Sequence, residues 1–259
     1  MTRQVYAKLA VAMLAIGTLI SVVMLQFEWN GLNASVERDQ IDVLLDVMIV
    51  LSSYVFAIVG VMFGYALWKF RAKPGDESDG EAIHGNTRLE IAWTVIPTVI
   101  VLFGAVYSWI VLDDIEARAD DRMVVNVTAQ QFKWTFEYPE EGVTSDELHV
   151  PVDQQLELHL TALDVLHSFW VPEWGIKRDL VPLGEGGDEV DDEVVVTPDL
   201  EGSYTVLCTE YCGTGHSTMR AFAEVQSQEE FDQWVAEERK AGGGDGADSG
   251  GTTEGGSGP

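Results

Sequence analysis

The sequence predicts a membrane-anchored all-β protein: two or three N-terminal transmembrane helices followed by a small antiparallel sandwich or barrel. Three observations carry this. Within 259 residues, the stretches 9–27, 47–68 and 91–112 hold no ionisable acid or base, and each is close to the ~20 residues a helix needs to cross a bilayer. From Met123 onward apolar and polar residues alternate with a period of two, the pattern of half-buried strands. The acids, 43 Asp+Glu against 15 Lys+Arg, lie wholly outside the three apolar stretches.

Basic residues orient the crossings. Arg3 and Lys8 precede the first stretch, and Lys69, Arg71 and Lys73 follow the second. The positive-inside rule then puts the N-terminus and the 69–90 loop in the cytoplasm and everything after Leu112 outside. Trp29, Trp68, Trp93, Tyr107 and Trp109 sit near the stretch ends, where interfacial aromatics belong. The first stretch reads either as a secretory signal or as a retained helix. Its apolar part exceeds the usual signal core and no clean small-x-small site follows, which favours the helix.

Beyond the crossings, Val125 and Val127 alternate with polar neighbours, as do Leu156, Leu158 and Leu160. Further strands are expected over 132–138, 147–150, 192–197, 203–207 and 220–226. Ser227-Gln-Glu-Glu230 reads as a capping box opening a terminal helix. The expected boundaries are a first apolar helix or signal segment with outer loop over 1–40, a helical hairpin over 41–112, the β domain over 113–226, a helix over 227–240 and a disordered glycine-rich tail over 241–259.

The acidic balance excludes nucleic acid as a partner, because binding it needs a basic face. The run Gly184-Glu-Gly-Gly-Asp188-Glu189-Val-Asp191-Asp192-Glu193 could attract a cationic partner. With lysine so scarce, its plainer reading is a solvated loop on a protein adapted to high salt, where long-range steering is screened.

The chemistry concentrates in Cys208-Thr-Glu210-Tyr-Cys212-Gly-Thr-Gly-His216-Ser-Thr-Met219, with His167 upstream in His167-Ser-Phe-Trp-Val-Pro. A pair of exported cysteines is most often a disulfide, and two cysteines with two histidines also suit structural zinc. Neither has a use for Met219. Soft sulfur donors, imidazoles and a thioether together favour copper. Two cysteines four apart can bridge a pair of ions, each capped by one histidine. Ser168 and Ser217 are candidates to orient the ligands. His84, His149 and His159 have no such neighbours in sequence and read as surface or structural residues.

Over residues 40–240 the chain resembles subunit II of the haem–copper cytochrome c oxidases. The resemblance rests on Arg88-Leu-Glu90-Ile-Ala-Trp93-Thr-Val-Ile-Pro97, Gln131-Phe-Lys-Trp134-Thr-Phe-Glu-Tyr138, His167-Ser-Phe-Trp-Val-Pro-Glu-Trp-Gly-Ile-Lys177-Arg-Asp179 and the Cys208–Met219 segment. It implies a cupredoxin-like Greek-key β-barrel holding a binuclear copper centre. Cys208 and Cys212 would bridge two coppers, His167 and His216 would cap them, Met219 would be a weak ligand, and Glu210 would lend its backbone carbonyl. The Glu210 carboxylate would contact a magnesium shared with subunit I.

The implied partners are subunit I, other oxidase subunits, membrane lipid and an external donor, either a cytochrome c or a small blue-copper protein. The implied place is the plasma membrane, multi-pass, with the copper domain extracytoplasmic. A donor would dock at the 131–138 segment, where Phe132 stands at the place of an exposed tryptophan and Trp134 follows two residues on. Glu90 would open a proton-uptake path, although an acid there also suits the helix N-terminus. Two other readings stay open: a mononuclear blue-copper carrier, which needs one thiolate, and a non-redox domain stapled by a Cys208–Cys212 disulfide.

Overall fold

The computed structural model describes residues 2–27, 29, 31–72, 74–75, 80, 82, 84–182 and 192–242. The acidic run up to Asp191 and the glycine-rich tail from residue 243 lie outside the described residues. The chain forms two compact units, one of residues 1–31 with 39–115, the other of 32–38 with 116–259.

The first unit holds three apolar helices long enough to span a membrane: α1 (Arg3–Met24), α2 (Val36–Lys69) and α3 (Thr87–Ile115). Gly17 lets α1 approach α2 closely, because a Cβ there would come within 2.6 Å of the Tyr54 ring. Beside it Thr18 Oγ1 and Tyr54 Oη lie 2.9 Å apart. The Trp29 indole N–H donates to the Met24 carbonyl at 2.9 Å, satisfying one of the acceptors a helix end leaves open. At the start of α3, Asn86 Oδ1 accepts the Leu89 N–H (3.2 Å) while Glu90 Oε1 accepts the Asn86 N–H (2.9 Å). Glu90 is thus half of a reciprocal helix cap.

The α2 helix begins well before its apolar stretch. Ser35 Oγ accepts the Arg38 N–H at 3.1 Å as an N-cap. The Glu37 carboxylate takes both the Thr197 N–H (2.8 Å) and its hydroxyl (2.9 Å). Arg38 Nη1 donates to the Pro172 carbonyl at 2.6 Å. Both charged side chains are buried, where unbonded polar atoms are costly, and these bonds hold the 32–38 segment in the second unit.

The second unit contains β1 (Met123–Gln130), β2 (Lys133–Tyr138), β3 (Val143–Ser145), β4 (Leu148–Pro151), β5 (Leu156–Ala162), β6 (His167–Val171), β7 (Ile176–Leu180), β8 (Asp192–Val196), β9 (Gly202–Cys208), β10 (Arg220–Gln226) and the helix α4 (Gln228–Gly242). They form two facing sheets in the orders β3-β2-β1-β5-β8 and β4-β10-β9-β6-β7. Trp134, Phe136, Tyr138, Leu148, Leu158 and Phe169 fill the core.

Two features differ from the expectation. The pairing is not purely antiparallel, since β1 runs parallel to β5 and β4 parallel to β10. The chain crosses between sheets before returning to a neighbour, which makes those pairs parallel. Strands β3, β6 and β7 also escape the period-two pattern. β3 is too short to show a period, three successive residues of β6 are buried, and β7 places three successive exposed charges at a sheet edge.

Helix α4 closes the unit. Ser227 Oγ accepts the Glu230 N–H (3.3 Å) and Glu230 Oε2 accepts the Ser227 N–H (3.0 Å), the capping-box geometry. Its Phe231 and Trp234 pack on Tyr138, and Trp234 stacks on His149 with ring centroids 4.2 Å apart.

Candidate metal centre

The candidate ligands meet at one end of the β6–β9–β10 sheet. Phe169 pairs with Cys208 across β6 and β9, and Leu207 with Arg220 across β9 and β10. The Cys208–Met219 segment is therefore the loop of a hairpin. It is closed at its base by Cys208 N–H to Met219 O (3.3 Å) and tied to β6 by Thr209 N–H to Ser168 O (3.0 Å). A single 3-10 turn over His216–Thr218 turns the loop back.

Two glycines make this path available. Gly213 has φ +131, and a Cβ on it would lie 2.8 Å from Gln131 Nε2. At Gly215 a Cβ would fall 2.5 Å from the Phe132 ring. The β1–β2 turn thus sits directly on the loop, and Gln131 Nε2 donates to the Cys212 carbonyl at 2.5 Å.

Inside, the two sulfurs Cys208 Sγ and Cys212 Sγ stand 3.8 Å apart. A disulfide needs ~2.05 Å, so the thiols are free, against the stapled reading. Each sulfur has its own partners. Cys208 Sγ lies 3.8 Å from His167 Nδ1 and 3.3 Å from the Glu210 carbonyl oxygen. Cys212 Sγ lies 3.7 Å from His216 Nδ1 and 3.8 Å from Met219 Sδ. The set repeats as sulfur, imidazole and a weaker donor, once per cysteine.

His167, Cys208, Cys212 and Met219 are buried. Burial, together with the adjacent Cys208 thiol, pushes the Cys212 thiol up to about 11. That thiol stays protonated near neutrality and would give up its proton on binding a metal. Sulfurs 3.8 Å apart are near enough that one soft ion could be held by both. The donors fit a soft metal, and the spacing fits bridging.

One residue escaped the sequence reading. Asp164 Oδ1 lies 2.8 Å from His167 Nε2, while its carboxylate also accepts the N–H groups of Gln131 and Val165, both at 2.7 Å. Burial opposes its charge, but these hydrogen bonds prevail and lower its pKa below the ordinary carboxylate value. With Nε2 held by the carboxylate, Nδ1 is the ring nitrogen that faces Cys208. The available signal was an aspartate three residues before a candidate ligand histidine. The serines contribute otherwise: Ser168 Oγ donates to the Arg178 carbonyl at 3.3 Å, and Ser217 is exposed.

The aromatic pair separates. Phe132 is 36% exposed, whereas Trp134 is 1% exposed, with its ring edge-on to His167 (6.4 Å) and Phe169 (5.6 Å). Trp134 is core beneath the site and offers no surface to a donor. Glu210 Oε1 accepts the Tyr211 N–H at 3.3 Å. A second grouping, Glu157 with His159 and Glu193, also brings ligand-type atoms together. There Arg118 pairs with both carboxylates and Arg122 with Glu157, so guanidinium groups already supply the positive charge a cation would bring.

Comparisons with known proteins converge. The description "Cytochrome C oxidase subunit II, transmembrane domain" matches residues 25–111, and "Cytochrome C oxidase subunit II, periplasmic domain" matches residues 141–226. The chain is 32% identical to cytochrome c oxidase subunit 2 of Synechocystis sp., over 88% of this chain and 82% of that protein. It is 36% identical to cytochrome c oxidase subunit 2 of Alkalihalophilus pseudofirmus, over 73% of this chain but 54% of that longer protein. Among solved structures it is similar to the periplasmic domain of cytochrome oxidase subunit II of Bradyrhizobium japonicum, at 24% identity and TM-score 0.44, over 49% of this chain and 98% of that one.

Proposed function

The chain belongs to the cytochrome c oxidase subunit II family, and we propose that the residues gathered at the end of its β unit form the binuclear copper centre of that subunit. The protein is membrane-anchored with the β unit on the extracytoplasmic side. As subunit II of a haem–copper oxidase it works with other oxidase subunits, accepting electrons from an external donor for the haem of subunit I.

Cys208 and Cys212 would supply the thiolates, His167 and His216 the imidazoles through Nδ1, and Met219 Sδ and the Glu210 carbonyl the weaker donors. The observation that carries this reading is the repeated set: a 3.8 Å sulfur–sulfur separation flanked by a sulfur–imidazole contact of 3.8 Å on one side and 3.7 Å on the other. A copper pair held by these residues would supply one-electron exchange with little rearrangement. The chain's residues support that exchange in three ways. The buried donors His167, Cys208, Cys212 and Met219 keep water from most of the site, the sheet sets His167 beside Cys208, and Asp164 fixes the His167 ring. A mononuclear blue-copper site would leave one of the paired thiols without a role.

Phe132, on the loop surface, is the electron-accepting side chain, and Trp134 supports His167 from below. On the same reading the Glu210 carboxylate, which accepts the Tyr211 N–H, would contact a magnesium shared with subunit I. Copper loading of the whole oxidase complex, followed by electron spin resonance, tests the assignment. Two coppers per chain with the unpaired electron split over both supports it; one copper, or an unsplit signal, rejects it. Cys212→Ser should abolish the split signal.

A further inference from the structure

The first apolar helix is fitted to the second. Gly17 and Ser21 of α1, one helical turn apart, are buried. At Gly17 the Tyr54 ring of α2 fills the place of a side chain, since a Cβ there would come within 2.6 Å of it. The next residue, Thr18, brings its Oγ1 within 2.9 Å of the Tyr54 hydroxyl. On α2, Ser53 and Ala57, which precede and follow Tyr54, are also buried. Both serines bond within their own helix, Ser21 to the Gly17 carbonyl (2.9 Å) and Ser53 to the Ile49 carbonyl (2.7 Å).

Small residues let helices approach closely in lipid, where polar side chains must find partners within the protein. A phenol ordinarily prefers the membrane surface, yet Tyr54 lies inside the 47–68 apolar stretch. Thr18 is nine residues inside the outer end of its stretch at Phe27 and Tyr54 seven inside the outer end of its own at Val47, depths of about 14 and 10 Å along the helices. One helix running outward and the next running inward thus bring the two hydroxyls to nearly one level. A leader that is cut away needs an apolar core, and nothing requires that core to fit a ring further down the chain. Gly17 weakens a helix, and its use here is the notch. The matched transmembrane description begins at residue 25, so α1 lies ahead of the region it covers.

We propose that α1 is kept in the mature subunit as a third membrane-spanning helix, docked on α2 with Gly17 as the notch and Tyr54 as the ring it receives. The partner of α1 is a face of this same chain, and the Thr18–Tyr54 hydroxyl pair sets its depth. This role is independent of the copper assignment.

Intact mass and N-terminal sequencing of the subunit from the purified oxidase complex test retention. The chain should begin at Met1 or Thr2; a chain beginning within or beyond α1 would overturn the proposal. Docking is read separately. A protease site in the 28–32 segment, with an affinity tag ahead of α1, allows that segment to be cut in mild detergent with the complex assembled. After the cut, α1 should still pull down the subunit. Gly17→Leu and Tyr54→Leu should each release most of it, and Tyr54→Phe, which keeps the ring but loses the hydroxyl, an intermediate share. Val11→Leu, at an exposed position of α1, should match wild type. The copper resonance should persist in every variant, which separates undocking from misfolding. Release of wild-type α1 on cutting would show a tether alone and overturn the docking. Full retention in both Gly17→Leu and Tyr54→Leu would put α1 on some other surface and overturn it equally.

Discussion

Asp164 Oδ1 and His167 Nε2 lie 2.8 Å apart, and that contact decides which face of the imidazole meets the sulfurs. An ion-ligating histidine whose second nitrogen is held by a carboxylate is fixed in both tautomer and ring angle.

Asp164→Ala should therefore weaken copper binding by about 10–100-fold, the usual cost of losing such a partner, and broaden the resonance as His167 loosens. Asp164→Asn, whose amide oxygen still accepts from Nε2–H, should fall between that variant and wild type. Competition with a copper chelator measures the affinity. Equal affinities in all three proteins would show that packing alone holds the ring.

Gly215→Ala places a methyl 2.5 Å from the Phe132 ring. The overlap should cost about 1–3 kcal/mol, as overpacking generally does, read as a lowered midpoint in chemical denaturation. Phe132→Ala in the same chain removes the obstacle and should recover most of the loss. Without recovery, the strain would lie in the loop itself.

The Glu90 carboxylate caps α3, and we propose that it also takes up protons, as the family resemblance implies. Glu90→Gln keeps an oxygen that can accept the Asn86 N–H while removing the charge. We expect turnover of the complex to slow with the copper resonance and helix content unchanged. Full turnover would leave Glu90 with the cap alone.

Burial raises the Tyr138 phenol far above its ordinary value, an effect that the bond to His149 only partly offsets. Because the folded pKa exceeds the unfolded one, the associated stability is fully present below about pH 10 and is lost as pH rises above it. Tyr138 Oη both accepts the His149 N–H (2.6 Å) and donates to the His149 carbonyl (3.0 Å). Tyr138→Phe should lower stability near neutrality by about 1–3 kcal/mol, as buried backbone groups lose their partner, and flatten the decline above pH 10. Denaturation midpoints at pH 7 and pH 11 check both.

Some of this protein was legible in the chain because the deciding physics is local. A run of residues without charge, as at 47–68, can only be stable in lipid or a core, so the helices announced themselves. Ser227 and Glu230 stand at the offset a helix cap requires. The metal loop was readable because thiolates, imidazole and thioether are rare chemistry, and twelve residues gathered most of it. The glycines at 213 and 215 marked tight backbone, but not the Phe132 ring that demands one of them.

What the sequence alone determined was the kind of elements and which residues are candidate ligands, since hydrophobic period and donor chemistry belong to residue types. The tertiary structure decided everything that depends on separation in space. It brought His167 to Cys208 across 41 positions, left the sulfurs 3.8 Å apart and unbonded, set Asp164 behind the ring, and placed Phe132 at the surface while sealing Trp134 in the core. Alternation along a strand says that neighbours face opposite ways. Only the packing of two sheets says which way is in.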